Sequence, residues 1–272
     1  MNFFNQELGF NCLIVFILGT CVGSFINVIL YRFPRNQSII LPRSFCPKCK
    51  TKIQWFDNIP IISWFLLSGN CRKCSKRISP LYPLIEFITG FIFLFCFLSN
   101  VFINVDNTSL LYLIGSWILV SITLSMSLID IYNYWLPRSL NYSCIFSGIF
   151  INFLIYSNSL TANLTILTNI FSAVLGYLLF RCISHISRII YKKEALGLGD
   201  VLFVANIGAW NGLIGLSFSL IISFIVAGLY VIIGLLIKKI NYKDYIPLGP
   251  FLALGTVIVW CVGKENIILF IN

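Results

Sequence analysis

Two Cys-x-x-Cys pairs, Cys46-Pro-Lys-Cys49 and Cys71-Arg-Lys-Cys74, carry the most specific chemistry in this sequence. Paired thiolates separated by 21 residues can close a tetrahedral sulfur site around a soft divalent metal, with zinc the first choice by ligand type. The spacing runs slightly beyond the usual zinc-ribbon range. The alternative is two redox-active or merely adjacent pairs, which the basic, cytoplasm-like flanking composition disfavours. The second chemical group is acidic. Asp130 closes the hydroxyl-rich apolar run Ser121-Ile-Thr-Leu-Ser-Met-Ser-Leu-Ile129, and Asp200 follows Gly197-Leu198-Gly199 and opens another apolar run. Taken singly, each fits an interfacial anchor or a helix N-cap. As a pair at matching depth they fit more. Two carboxylates held close share a proton, so one can activate water as general base while the other protonates a leaving amine. That is aspartyl protease chemistry, and glycines before Asp200 allow backbone or an extended substrate to approach it.

The elements that would position these groups are membrane helices. With 58% hydrophobic and 10% charged residues over 272 residues, and a mean hydropathy of +0.92, the chain reads as an all-α polytopic membrane protein. Apolar runs occur at about 9 to 30, 81 to 100, 109 to 130, 139 to 157, 164 to 182, 201 to 237 and 247 to 270. The 201 to 237 run is too long for one straight span and contains Asn211-Gly212, which predicts two short helices joined by a turn and about eight crossings in all. Alternating the loops then places every Lys and Arg except Lys264 on one side. By the positive-inside rule that side is cytoplasmic and both termini lie outside. The first cation is Arg32, at the far end of the first run, so no basic segment of a cleaved signal peptide precedes it. The net charge of +10 is explained by cations at cytoplasmic helix ends beside anionic lipid, and nucleic-acid binding is not expected.

Three parts follow: a first transmembrane helix at 1–30, a cytoplasmic zinc-ribbon-like loop at 31–80, and a transmembrane core at 81–272. The loop has too few aliphatic residues to fold alone, and a metal would supply the missing stability. Trp55, Phe56 and Trp64 read as a mini-core of this loop in preference to a surface resting at lipid headgroups. The remaining cysteines, at 12, 21, 96, 144, 182 and 261, are scattered through apolar segments as small helix-contact residues. His185 is the sole histidine and no His-Glu-x-x-His pattern occurs, so a zinc-hydrolase mechanism is poorly supported. Carboxylates at the membrane edge are costly, which singles out Glu86 together with Asp130 and Asp200.

The ordered motifs resemble those of the type IV prepilin peptidases from about residue 19 to residue 255. They are Gly23-Ser-Phe-Ile-Asn27 through Arg32-Phe-Pro34, the double Cys-x-x-Cys loop with Asp57-Asn58-Ile59-Pro60 and Ser63-Trp64, and Ile78-Ser79. Tyr82-Pro83-Leu-Ile-Glu86, Asp130 to Pro137, Glu194-Ala-Leu-Gly197-Leu-Gly199-Asp200 and Pro247-Leu-Gly249-Pro250-Phe251 complete the set. The resemblance implies an intramembrane aspartyl peptidase of the bacterial inner membrane. Its substrates would be type IV prepilins or type II secretion pseudopilins, cleaved at the cytoplasmic face. Members with the cysteine loop also methylate the new N-terminus with S-adenosylmethionine. By the same resemblance Asp130 and Asp200 are the catalytic pair, and Cys46, Cys49, Cys71 and Cys74 hold zinc. Gly197, Gly199, Glu86 and Glu194 would support the site, and no residue is implied for the methyl donor.

The chain departs from the family pattern at Arg138, where an acid usually follows the proline, and at Leu202, where a lysine usually stands. Both bear on which aspartate carries the shared proton. The rival reading is a non-catalytic paralogue, an assembly factor or a transporter with a zinc docking loop. A transporter would show internal repeats or polar residues near the bilayer midplane, and the acids here cluster at one edge instead.

Overall fold

A computed structural model describes residues 2–103, 109–157, 162–192, 196–241 and 244–263. The described residues are helical apart from loops and two isolated antiparallel bridges. The helices are α1 (Asn2–Arg32), α2 (Ile62–Leu66), α3 (Leu81–Ile103), α4 (Ser109–Asn133), α5 (Arg138–Tyr156), α6 (Ala162–Tyr191), α7 (Leu198–Leu236) and α8 (Gly249–Val262). The chain forms two compact units, Met1–Leu98 and Ser99–Asn272.

In the first unit α1 and α3 approach closely because small residues meet between them. A Cβ added at Gly19 would stand 2.8 Å from the Gly90 Cα, and one added at Gly23 would stand 2.7 Å from the Glu86 Cα. The intervening loop is drawn together by Arg32, which is 4% exposed. Its guanidinium donates to the carbonyls of Ser38, Pro42 and Arg43 at 3.0, 2.8 and 3.3 Å and lies 5.4 Å from the Phe45 ring centroid. The expected aromatic mini-core does not form: Trp55 is 80% exposed and Phe56 is also exposed, stacked edge-on against each other. Only Trp64 is a wall of the loop, its Nε1 donating to the Ile78 carbonyl at 3.2 Å. The short helix α2 likewise turns Ile62, Phe65 and Leu66 outward. A loop this small has too little interior for large rings, so its order rests on backbone bonds and on the cysteines.

The second unit is a helical bundle around the first arm of α7, in which every residue from 201 to 212 is buried. At Gly212 (φ 66°, ψ −170°) the helix breaks. Asn211 Nδ2 donates to Ser219 Oγ at 3.0 Å, a contact that a straight helix, with about 12 Å between such residues, would forbid. The partners along α6 give the directions of the arms: Gly208 meets Ser172 and Gly176 meets Val204, whereas Gly176 also meets Leu216 and Phe180 stacks on Phe224. The arms at 198–211 and 213–236 are therefore antiparallel, as expected from Asn211-Gly212. Among the described residues six helices are long and apolar enough to cross a membrane and α8 is a shorter apolar one. With α7 folded into two arms, eight apolar segments result. The first arm spans about 21 Å, less than the ~30 Å hydrocarbon core, and is enclosed by protein.

Tight, polar contacts fix the bundle. Trp210 Nε1 donates to the Cys144 carbonyl at 2.9 Å, and Gly148 opens the space its indole fills. Trp260 Nε1 donates to Ser116 Oγ at 2.9 Å, and the Tyr112 hydroxyl donates to the Trp260 carbonyl. The run expected at 247 to 270 yields a described helix of 14 residues, with 264–272 outside the described residues.

Candidate metal centre and aspartate pair

In the first unit the two Cys-x-x-Cys segments form near-identical turns. Cys46 N–H donates to the Thr51 carbonyl (3.0 Å) and Lys50 N–H to the Cys46 carbonyl (2.8 Å). The second turn repeats this: Cys71 N–H donates to Lys76 (2.9 Å) and Ser75 N–H to Cys71 (2.8 Å). The residue after each second cysteine, Lys50 (φ 60°) or Ser75 (φ 53°), is left-handed, which curls both thiols to one side. Each turn is closed by a bridge, Phe45 with Lys52 and Asn70 with Arg77.

The four sulfurs lie within 4.8 Å of one another, with Cys46 and Cys74 at 4.0 Å. A tetrahedral metal with bonds of ~2.3 Å to sulfur needs sulfurs roughly 3.8 Å apart, so the residues fit such an ion. The hydroxyl and then the backbone N–H of Thr51 lower the Cys49 thiol to about 6. Backbone N–H groups of Cys74 and Lys73 lower Cys71. The Lys76 N–H also acts to lower Cys74, but burial and the other three sulfurs push it up to about 11. A divalent cation bound here would favour the thiolate form of all four cysteines.

Beside this cluster is a cavity of about 430 Å³ bounded by α1, α3 and the loop. Glu86 faces it, 8% exposed, and its Oε2 accepts the Ile61 N–H at 2.7 Å. Ile61 has φ 62° and ψ −56°, and Ile62 N–H donates to the Pro60 carbonyl at 2.6 Å. This is a γ-turn of the strained hand, built on a β-branched residue, at a cost of about 1–3 kcal/mol. Glu194 lies outside the described residues.

The second unit holds both aspartates. Asp130 sits on the last turn of α4 and is 5% exposed. The hydroxyls leading to it are satisfied within the helix: Ser121, Ser125 and Ser127 donate to carbonyls four residues back at 2.6, 2.7 and 2.7 Å. The Asp130 carboxylate is held from α8, where Gly249 N–H donates to its Oδ2 at 2.8 Å. A Cβ at Gly249 would stand 2.9 Å from that oxygen.

Half-buried Asp200 lies in the first turn of α7, whose N-cap is Gly197. Gly199 touches the chain that follows Asp130: a Cβ there would lie 2.5 Å from Leu136 Cβ and 3.0 Å from its carbonyl oxygen. Asp200 is thereby brought within coulombic reach of Asp130. Arg138 is exposed at the start of α5 and Leu202 is buried, and among the described residues no ion pair joins Arg138 to Asp130. Gly249 was visible in the sequence only as part of a Pro-Leu-Gly-Pro motif. Its role as donor to Asp130 depends on a contact 119 residues away.

Residues 17–100 match the Bacterial Peptidase A24 N-terminal domain, and residues 117–232 match the Type IV leader peptidase family. The chain is 36% identical over 205 residues to the prepilin leader peptidase/N-methyltransferase of Myxococcus xanthus, covering 74% of this chain and 57% of that protein. It is 32% identical over 257 residues to the type 4 prepilin-like proteins leader peptide-processing enzyme of Escherichia coli, covering 88% and 89% of the two. The prepilin leader peptidase/N-methyltransferase of Stutzerimonas stutzeri is 31% identical over 272 residues, covering 92% and 90%. No solved structure matches the chain. With matching domains over both units and relatives alike over nearly their full length, this multi-pass membrane protein belongs to the type IV leader peptidase family.

Proposed function

We propose that the protein cleaves the leader peptide from type IV prepilin or type II secretion pseudopilin precursors, and methylates the new N-terminal amine with S-adenosylmethionine. Asp130 and Asp200 are the catalytic pair. The observation that supports this reading is that Asp200 feels the charge of Asp130, whose carboxylate accepts the Gly249 N–H. In the shared-proton state one carboxylate takes a proton from the attacking water and the other gives one to the departing amine nitrogen. Both acids lie at ends of apolar helices, which suits a precursor whose basic leader is cytoplasmic and whose apolar helix is in the inner membrane. The cations of the loops support a cytoplasmic face for this end, beside anionic lipid.

Cys46, Cys49, Cys71 and Cys74 hold zinc, supported by the mutual 4.8 Å limit on their sulfurs. Zinc supplies a structural cross-link between the two turns when bound. Gly197 and Gly199 shape the approach to Asp200. Conversion of a purified precursor to its mature form by wild-type protein, and its loss in Asp130→Asn and Asp200→Asn, tests the pair. Cleavage by either variant at the wild-type rate removes that residue from the mechanism.

A further inference from the structure

The loop of the first unit leaves an apolar face uncovered, and its attachment to α3 shows what lies against that face. We propose that α2 is a wedge seated in the membrane surface. Ile62, Phe65 and Leu66 enter the acyl region of the adjoining phospholipid leaflet, and the cations of the two cysteine turns rest on its anionic headgroups. Such seating is independent of leader cleavage and of methyl transfer.

The helix has two faces. Ser63, Trp64 and Leu67 line the cavity, and Trp64 is fixed there by its bond to the Ile78 carbonyl. Ile62, Phe65 and Leu66, spaced i, i+3 and i+4, turn the other way and are 56%, 66% and 77% exposed. The Trp55–Asn58 turn packs beside this helix, with Ser63 Oγ donating to the Phe56 carbonyl at 3.0 Å, and it adds the exposed ring of Trp55. Large apolar side chains gathered in this way mark an interaction surface.

Two observations identify lipid as the occupant. The first is depth. The apolar span Leu81–Phe102 has 22 residues, about 33 Å of helix, little more than the ~30 Å hydrocarbon core. The first turns of α3 therefore stand at the hydrocarbon boundary. Ile61, which heads α2, is tied to them: its N–H donates to Glu86 Oε2 at 2.7 Å, in the second turn of α3. The outward side chains of α2 thus lie near the level of Leu84 and Phe87, which are exposed on α3. The start of α2 is also furnished for surroundings poor in water. Glu86 accepts the Ile61 N–H, and the Pro60 and Ile59 carbonyls accept those of Ile62 and Ser63. The second observation is charge. From Ile53 to Asn70 the sequence has no Lys or Arg, whereas the flanking cysteine turns carry Lys48, Lys50, Lys52, Lys73, Lys76 and Arg77. An apolar helix face flanked by cations suits an anionic interface, where burial of the face adds to attraction for the headgroups.

The test uses the full-length protein in nanodiscs of phosphatidylethanolamine and phosphatidylglycerol that include a phospholipid with a diazirine in its acyl chain. Adducts formed on irradiation are mapped by mass spectrometry, and in a parallel sample hydroxyl radicals generated in the water oxidise the side chains that face it. Ile62, Phe65 and Leu66 are expected to carry acyl adducts at yields comparable with Leu84 and Phe87 and to escape oxidation. Phe65→Ser combined with Leu66→Ser should lose the adducts on α2 and keep those on α3, which report that the helices remain folded. In nanodiscs of phosphatidylcholine alone, labelling of α2 should fall while that of α3 persists; equal labelling in both lipids removes the headgroup half of the proposal. Oxidation of Phe65 and Leu66 from the water, with acyl adducts confined to α1 and α3, overturns the wedge. Oxidation that an added pilin precursor or other protein then blocks gives the face to that partner and overturns it likewise.

Discussion

The backbone N–H of Gly249, at the start of α8, donates to the Asp130 Oδ2 at 2.8 Å at the end of α4, and the glycine Cα hydrogens occupy space that no side chain could share with that carboxylate. One residue thus both binds and positions a proposed catalytic acid. Gly249→Ala places a Cβ 2.9 Å from the oxygen and 3.2 Å from Asp130 Cβ. The acid must move, and misplacement of a catalytic group by about 1 Å costs on the order of 10²-fold. Leader cleavage by this variant should fall in kcat by that order while the thermal unfolding of the protein in detergent shifts little. A wild-type kcat would show that the contact has no part in catalysis.

Asp200 depends on a second glycine. A methyl group at Gly199 would overlap Leu136 Cβ at 2.5 Å, so Gly199→Ala should cost about 1–3 kcal/mol of stability and separate the two acids. Leu136→Gly removes the obstructing atom. In a double-mutant cycle read by cleavage rate, Leu136→Gly is expected to restore part of what Gly199→Ala loses. Strict additivity of the two losses would mean that the contact does not couple them.

The reversal of α7 was legible from residue type and length, because an apolar run from 201 to 237 with Asn211-Gly212 inside it is too long for one straight span. The paired cysteines were legible for a similar reason: their spacing is local. The Glu86 and Ile61 arrangement was not, since sequence preference argues against a β-branched residue at positive φ, and only the tertiary contact with Glu86 imposes it. The loop aromatics misled for a physical reason as well. Trp55 and Phe56 look like core residues, but a loop closed by cysteine turns has no interior for them.

Gly212 carries φ 66°, and a Cβ there would lie 2.8 Å from Asn169 Oδ1. Gly212→Ala should lower stability by about 1–3 kcal/mol, because this backbone conformation is open essentially to glycine alone. Thermal unfolding in detergent, read by intrinsic tryptophan fluorescence, checks this. An unchanged midpoint would mean that the two arms of α7 tolerate another turn.

The cysteine cluster predicts a pH dependence with a definite sign. Cys49 is held near 6 against its ordinary 9.0, so its thiolate contributes stability fully present above pH 9 and lost as pH falls through about 6. Metal binding needs all four thiolates and acts in the same direction. Purified protein should retain about one zinc per chain at pH 8 and release it progressively on acidification. Chelation, or Cys46→Ser, should raise hydrogen exchange across residues 44–78. Metal content that is unchanged from pH 8 to pH 5 would contradict the thiolate account.

The proposed cleavage of a pilin leader requires Asp130 and Asp200 together. Its most direct test is mass spectrometry of a pilin precursor's N-terminus after coexpression with the wild-type protein or with Asp200→Ala. A shortened and methylated N-terminus is expected with the wild type and an intact leader with the variant. A leader removed equally well by Asp200→Ala would contradict it.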